Sequence, residues 1–375
     1  MKISYVTIGN ALDIHNWSGL EYYIAKALED HVGEVNYIGN LTIKKKLGLR
    51  QKQVLYRLIG QRYDAVRTPF FARQCSQQVK SLLKPDTDII FSPGSVATAL
   101  LETSKPKVIY SDATFAGLLN FYIYDFCSDT IKKGHYLEQR ALESASLAIY
   151  SSDYAAQSAL QNYKVDAGKI KVVPFGANIK HNFSFADIKA IVRSRSRKEC
   201  NLLFLGVDWE RKGGELAVKV AGKLNKLGIK TNLHVVGIKN LPVKDLPNFV
   251  LNHGFISKST KEGEVKIQNL MAQCHFLLLP TKAEAYGLVF CEANSFALPS
   301  ITTNVGGIPT IIKNGINGRM FDLSDTEEVY GNYIASAFSN PKEYEQLAFS
   351  SYNEYKTRLN WQVAGESISR LLKEI

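Results

Sequence analysis

The chain has 375 residues, of which 45% are hydrophobic and 22% charged, and a formal net charge of +11. That length exceeds one ordinary core and suits two domains of about 150–200 residues, while the composition excludes an intrinsically disordered chain. No apolar run approaches the ~18–20 residues that span a bilayer as a helix, which excludes a helical membrane-spanning class.

The run Met1-Lys-Ile-Ser-Tyr-Val-Thr-Ile8 reads as a first β-strand, with neither the apolar stretch nor the cleavage site of a signal peptide. Short β-like runs then alternate with amphipathic helical stretches, which predicts an α/β protein of parallel sheets with helices on both faces. In the first half, strands are expected at residues 2–8, 34–38, 88–91, 107–110, 147–150 and 170–173. A helix is expected over 19–29, where Tyr22, Ile24, Ala25 and Leu28 recur at helical spacing. Ser151-Ser152-Asp153 offers an N-cap for another helix through 155–163. A break follows Pro174-Phe-Gly-Ala-Asn178, and the polar stretch that ends in Arg193-Ser-Arg-Ser-Arg-Lys198 reads as an interdomain connection. A second strand series is expected at 201–206, 231–236, 249–251, 275–279, 300–302 and 318–321, followed by a final helix at about 362–374. The expected organisation is a domain at 1–180 rejoined by a helix at about 360–375, a linker at 181–198, and a second domain at 199–359. Ligands of such sheets bind outside the carboxyl ends of the strands, which directs attention to the loops after Ile8, Tyr110, Gly206, Val236 and Leu279.

Cys75, Cys127, Cys200, Cys274 and Cys291 are odd in number and scattered, with no C-x-x-C pair. The histidines show no ligand-like spacing, so disulfides and a structural metal are not expected, and a reducing cytoplasm fits best. The charge is uneven. Between Leu41 and Lys84 eleven Lys and Arg face one acid, Asp64, so this stretch supplies +10. Such a block suits a solvated helical face, an anionic membrane surface, an anionic glycan or nucleic acid. Arg57, Arg62, Arg67 and Arg73 alternate with Tyr56, Tyr63, Phe70 and Phe71, a pattern that fits shallow insertion into lipid.

Four segments carry candidate chemistry. In Pro280-Thr-Lys-Ala-Glu-Ala-Tyr-Gly-Leu-Val-Phe-Cys-Glu-Ala-Asn294 a strand ends at Pro280 and a helix is expected from about Gly287 to Ala297. Glycine allows close approach of a ligand, and the unpaired N–H groups of a first helical turn form a phosphate site. Glu284 precedes that turn, and Glu292 lies about one and a half turns into the helix, where its carboxylate could accept from ribose hydroxyls. Second, Phe204-Leu-Gly-Val-Asp-Trp-Glu-Arg-Lys-Gly-Gly214 offers Arg211 and Lys212 as cations for a diphosphate, although basic residues beside glycines also occur in plain turns. Third, a loop after Ile8 leads into a helix at Gly19 without a G-x-G-x-x-G fingerprint. Fourth, Asp112 stands just beyond a strand end, where an isolated Asp is commonly an N-cap.

Together these segments resemble glycosyltransferase family 4, retaining enzymes of the GT-B fold. The family's E-x7-E signature corresponds to Glu284 and Glu292, and the similarity continues through Leu298-Pro-Ser300, Val305-Gly-Gly-Ile-Pro309 and Asn314-Gly-Ile-Asn-Gly318. Val173-Pro-Phe-Gly-Ala-Asn178 is similar to the family's interdomain string. The resemblance implies two Rossmann-like domains facing across a cleft, with the C-terminal helix crossing back to the first domain. It implies that Lys212, helped by Arg211, contacts the donor diphosphate. By the same resemblance, Ala285, Tyr286 and the backbone of Gly287, Leu288 and Val289 line the donor site. Glu292 would bind ribose, Glu284 would face the transferred sugar, and Phe255 and Ile256 would receive the base. Gly19 would touch the donor phosphate from the other domain. Two positions depart from the family: Val207 stands where an arginine is frequent, and Asp112 where a histidine is frequent.

The function implied is retaining transfer of a sugar from a UDP- or GDP-type nucleotide-sugar to a glycan or lipid-linked acceptor, in cell-envelope or polysaccharide biosynthesis. Glu284, Lys212 and Asp112 are the expected catalytic group; no cofactor, metal or nucleic acid is expected. The chain is expected in the cytoplasm, free or peripheral on the inner face of the membrane through residues 41–84. The alternatives are another GT-B enzyme, such as a sugar-nucleotide epimerase or a phosphorylase, and a non-catalytic nucleic-acid-binding protein.

Overall fold

The computed structural model describes residues 1–42, 48–179, 181, 183–242 and 245–375. Lys44, Lys45 and Lys46 of the basic segment lie outside the described residues. The chain forms two compact units, one of Met1–Phe175 with Trp361–Ile375 and one of Gly176–Asn360.

In the first unit the elements run β1 (Lys2–Val6), α1 (Leu20–His31), β2 (Glu34–Ile38), α2 (Leu49–Leu58), α3 (Pro69–Leu82) and β3 (Ile89–Ser92). They continue through β4 (Lys107–Ser111), α4 (Phe115–Leu118), α5 (Ser128–Ser144), β5 (Leu147–Tyr150), α6 (Asp153–Asn162) and β6 (Ile170–Val172). The second unit opens with α7 (Phe185–Ser194), β7 (Cys200–Leu205), α8 (Gly214–Lys226), β8 (Thr231–Val236) and β9 (Val250–Asn252). Then come α9 (Lys261–Gln273), β10 (Phe276–Leu279), α10 (Leu288–Ser295), β11 (Ser300–Thr303), α11 (Ile308–Ile311) and β12 (Gly318–Phe321). Helices α12 (Glu327–Ser339) and α13 (Pro341–Arg358) close the second unit, and α14 (Trp361–Leu372) belongs to the first.

All twelve expected strands form, in two six-stranded parallel sheets. Their orders are β2-β1-β3-β4-β5-β6 and β12-β11-β10-β7-β8-β9. Central strands such as Phe276–Leu279 and Leu147–Tyr150 are buried at every residue, as continuous apolar runs must be when helices cover both faces of a sheet. Strand order reverses between β1 and β3 in the first sheet and between β7 and β10 in the second. Helix α14 packs on α1, where Trp361 stacks on Tyr23 with ring centroids 6.2 Å apart and also meets Phe175 at 5.8 Å.

The expected linker at 181–198 is instead an integral part of the second unit. It forms α7, whose start is closed by a reciprocal capping box between Ser184 and Asp187. Arg195, which follows it, is 5% exposed. Its guanidinium donates to the carbonyls of Phe296 (2.7 Å), Ala297 (2.7 Å) and Ala272 (3.0 Å) and to the Tyr344 hydroxyl (2.7 Å). A polar Arg/Ser run reads as solvated, but here one arginine is buried because carbonyls from the last turn of α9 and from just beyond α10 converge on it. Nearby His275 is also buried. Its Nδ1 accepts from Asn201 N–H (3.0 Å) and its Nε2 donates to the Ser196 carbonyl (2.7 Å), which fixes the neutral tautomer.

Two stability predictions follow from this packing. Hydrogen bonds from charged groups contribute about 1.5–3 kcal/mol each, so Arg195→Met is expected to lower the unfolding free energy of the second unit by about 3 kcal/mol or more. Urea unfolding measures this, and an unchanged midpoint would contradict the role. Burial also holds His275, His181 and His234 down to about 4. Unfolded histidines take protons below about pH 6.5 while these folded ones do not. Their contribution is therefore present above that pH and lost as pH falls from about 6.5 to 4, as a urea series across pH would register; His275→Gln should flatten that slope.

Candidate active site

The reversal of strand order between β7 and β10 sends their two connections to opposite sides, so the loops leaving their carboxyl ends part and leave a crevice. These loops are nevertheless fastened to each other at their bases. The carbonyl of Arg211 accepts from Lys282 N–H (2.7 Å) and from the Thr281 hydroxyl (3.0 Å). Gly213 has φ +75°, and a Cβ there would lie 2.0 Å from the Pro280 carbonyl oxygen. No other residue allows this approach.

The fastening brings the charged groups together. Lys212 Nζ is ion-paired with the Glu284 carboxylate, and the two residues are 8% and 7% exposed. Arg211 reaches the same carboxylate oxygen at 3.5 Å, donates to the Ala283 carbonyl at 3.0 Å and pairs with Asp208 at 3.3 Å. Both cations and the acid therefore occupy one small, largely buried space.

Helix α10 begins beside them. Gly287 is its N-cap in a left-handed conformation (φ 101°, ψ 62°), and a Cβ there would sit 2.6 Å from the Phe290 ring and 3.2 Å from Glu284 Cγ. The first-turn N–H groups of Leu288 and Val289 have no partner within the helix. Glu292 follows a turn later at 2% exposure. Its carboxylate is held at 2.5 Å by Lys258, from the loop after β9. Sequence reasoning missed Lys258, since nothing in Ser257-Lys258-Ser259 distinguishes it from any surface loop.

Other expected site residues fall as follows. The side chains of Ala285 and Tyr286 are both buried. Tyr286 is buried with its hydroxyl 3.5 Å from the Cys291 sulfur, so these two can offer only backbone. Phe255 is largely exposed and Ile256 partly so, on the same loop that delivers Lys258. Val207 is exposed at the start of the β7 loop, and Arg211, further along it, reaches the Glu284 carboxylate. Gly19 and Asp112 lie in the first unit. Gly19 (φ 84°) follows left-handed Trp17 and Ser18 and precedes right-handed Leu20 at the start of α1. Asp112 follows β4 directly and is not a helix cap; Thr114 caps α4 by accepting from Gly117 N–H at 3.0 Å.

Residues 188–354, which lie within the second unit, match the family model of glycosyl transferases group 1. Sucrose-phosphate synthase from Thermosynechococcus elongatus superposes with a TM-score of 0.67 at 16% identity, over 100% of this chain and 98% of its own. Anabaena HepE in complex with UDP-glucose superposes at 0.63 with 17% identity, over 100% of both chains. The fold is GT-B. In sequence, the D-inositol 3-phosphate glycosyltransferase of Paenarthrobacter aurescens is 28% identical over 192 residues, which is 49% of this chain and 47% of the relative. The chain thus aligns with about half the length of that relative.

Stranding a buried carboxylate costs about 3–5 kcal/mol. Lys212→Met is expected to destabilise the second unit by that amount, and Glu284→Gln added to it to recover most of the loss. Chemical denaturation of the ligand-free variants measures the coupling; additive losses in the double variant would show that the pair is not coupled.

Proposed function

We propose that this chain is a retaining glycosyltransferase whose donor is a nucleoside-diphosphate sugar. The observation that carries the reading is the grouping of three features at one topological switch point: the Lys212–Arg211 cations, the α10 N-terminus and the buried Glu292. The match of residues 188–354 to glycosyl transferases group 1 supports it, as does the shared fold of a protein solved with UDP-glucose.

In this reading the donor diphosphate replaces Glu284 as the partner of Lys212 and Arg211, and it lies against the amides of Leu288 and Val289. Glu292 exchanges Lys258 for the ribose hydroxyls. Glu284, released from its cations, accepts from the hydroxyls of the sugar. We assign the acceptor to the first unit, where Asp112 follows a strand end. The bond from the anomeric carbon to the diphosphate breaks and the acceptor oxygen bonds to the same face of the sugar. The acceptor proton passes to the departing phosphate oxygen. The charge that develops on the diphosphate is met by side-chain cations and helix amides rather than by a divalent ion, and electrostatic placement of this kind is the main catalytic contribution.

A thermal-shift panel of UDP, GDP, ADP and their sugars tests the donor class. A ligand at a hundredfold excess over its Kd adds about 2.7 kcal/mol, a rise of roughly 5–10 °C for a domain of this size; no response to any member would overturn the reading. Glu284→Gln is expected to keep the nucleotide shift while turnover falls about 10²–10³-fold. Full turnover in that variant would remove Glu284 from the reaction.

A further inference from the structure

No residue of helix α2 is buried. Tyr56, on the inward side, stacks on Tyr63 with ring centroids 5.7 Å apart, and Lys52 lies over the same ring and 3.8 Å from Asp129. These contacts set the rotation of the helix. At 100° per residue Val54 and Leu58 lie on the opposite face and Leu55 on its flank, with Ile59 just past the last turn. These four are 59%, 62%, 78% and 63% exposed. Single exposed apolar residues are ordinary, but four adjoining ones on one face are not.

The surrounding charge is of one sign. Residues 49–62 contain Arg50, Lys52, Arg57 and Arg62 and no acid. On the helix, Arg50 and Arg57 flank the apolar strip along one edge and Lys52 borders the other. The chain leaving α2 is bonded to the loop that follows α4: Arg62 N–H donates to the Asp125 carbonyl (2.6 Å), and Cys127 N–H donates to the Arg62 carbonyl (3.0 Å). That loop presents Tyr122 and Tyr124, 37% and 51% exposed. Of the aromatic residues expected from sequence to insert, Tyr63 is buried, Tyr56 is stacked on it, and Phe71 is half-buried against the core, which leaves half-buried Phe70 on α3.

We infer that α2 is an interfacial anchor that lies flat on an anionic lipid surface, with Val54, Leu55, Leu58 and Ile59 among the acyl chains and the flanking Arg and Lys at the headgroups. An apolar strip edged by cations matches both layers of such a surface, because acyl chains take the strip and anionic headgroups take its border. A protein partner or a second copy of this chain would need acids facing Arg50 and Arg57, and α2 itself has none to offer. Nucleic acid would match the cations and leave the leucines in water.

The test uses the full chain without nucleotide, so its outcome is independent of the proposed reaction. Co-sedimentation is measured with phosphatidylcholine vesicles that contain or lack phosphatidylglycerol. The chain is expected to bind only the anionic vesicles. Binding should fall about tenfold or more in Leu55→Ser/Leu58→Ser and in Arg50→Gln/Arg57→Gln, and persist in Lys80→Gln/Lys84→Gln, which alters the same basic block away from α2. All these side chains are exposed, and circular dichroism checks that the fold is kept. Leu58→Trp should show blue-shifted emission on anionic vesicles, which electrostatic attraction without insertion would not produce. The inference is overturned by absence of vesicle binding or by equal binding of the serine variant. An unshifted tryptophan also overturns it, as does self-association or RNA capture that depends on α2 in place of lipid binding.

Discussion

Helix α10 is buried along most of its eight residues, so water cannot satisfy the groups at its ends. At the carboxyl end the oxygens are nearly all taken. The Glu292 carbonyl accepts from the Ser295 hydroxyl (2.6 Å), Ala293 from the N–H groups of Phe296 and Leu298, and Asn294 from that of Ala297. Beyond the helix, the Phe296 and Ala297 carbonyls accept from Arg195. A full positive charge thus sits at the negative pole of the helix dipole. Near the positive pole the Glu284 carboxylate is already engaged by Lys212 and Arg211, and Gly287 keeps side-chain bulk away from the helix start. One end of α10 is closed by the protein, and the other is arranged for an anion. The positions of Glu284 and Glu292 both follow from where this helix is held.

The two acids are kept in the interior by cations rather than by hydrogen-bonding neighbours alone. Lys212 and Lys258 each occupy a carboxylate, and Arg211 shares the first. A carboxylate left bare at this depth would be strongly destabilising, so both acids are held in ion pairs, Glu284 with buried Lys212 and Glu292 with partly exposed Lys258. Under the proposed reading, a diphosphate and vicinal hydroxyls would exchange partners within that network. This explains why acids and bases stand together in a space that a purely cationic phosphate site would leave positive.

Much of this was legible in the sequence, for reasons that also explain what was not. The central strands were readable because parallel strands buried on both faces are unbroken apolar runs, and the half-exposed edge strands such as Glu34–Ile38 and Ile170–Val172 because they fall at the same spacing between helical stretches. Lys212, Glu284, Gly287 and Glu292 were readable because loops after strands that open helices are where anions bind. Arg195 was not, since its burial depends on carbonyls some 75 to 100 residues further along the chain. The same holds for Lys258, whose partner is 34 residues away, beyond α9 and β10. The side-chain direction of Tyr286 was also hidden: residues in a turn have no period, so nothing in the order of letters says which of them faces inward. The exposed face of α2 was read as basic but not as apolar, because charge counts add along a segment whereas a face exists only once the helix is rotated against its neighbour.

The return of α14 to the first unit has a temporal consequence. Phe175 and Trp361 touch, yet the whole of the second unit lies between them in the chain. At about 5–20 residues per second of ribosomal synthesis, roughly ten to forty seconds separate the emergence of β6 from that of α14. During that interval α1 has no covering helix, and the aromatic face of Tyr23 stands open to water or to a chaperone. The second unit, contiguous in sequence, can finish first. The amino-terminal unit is begun first and completed last.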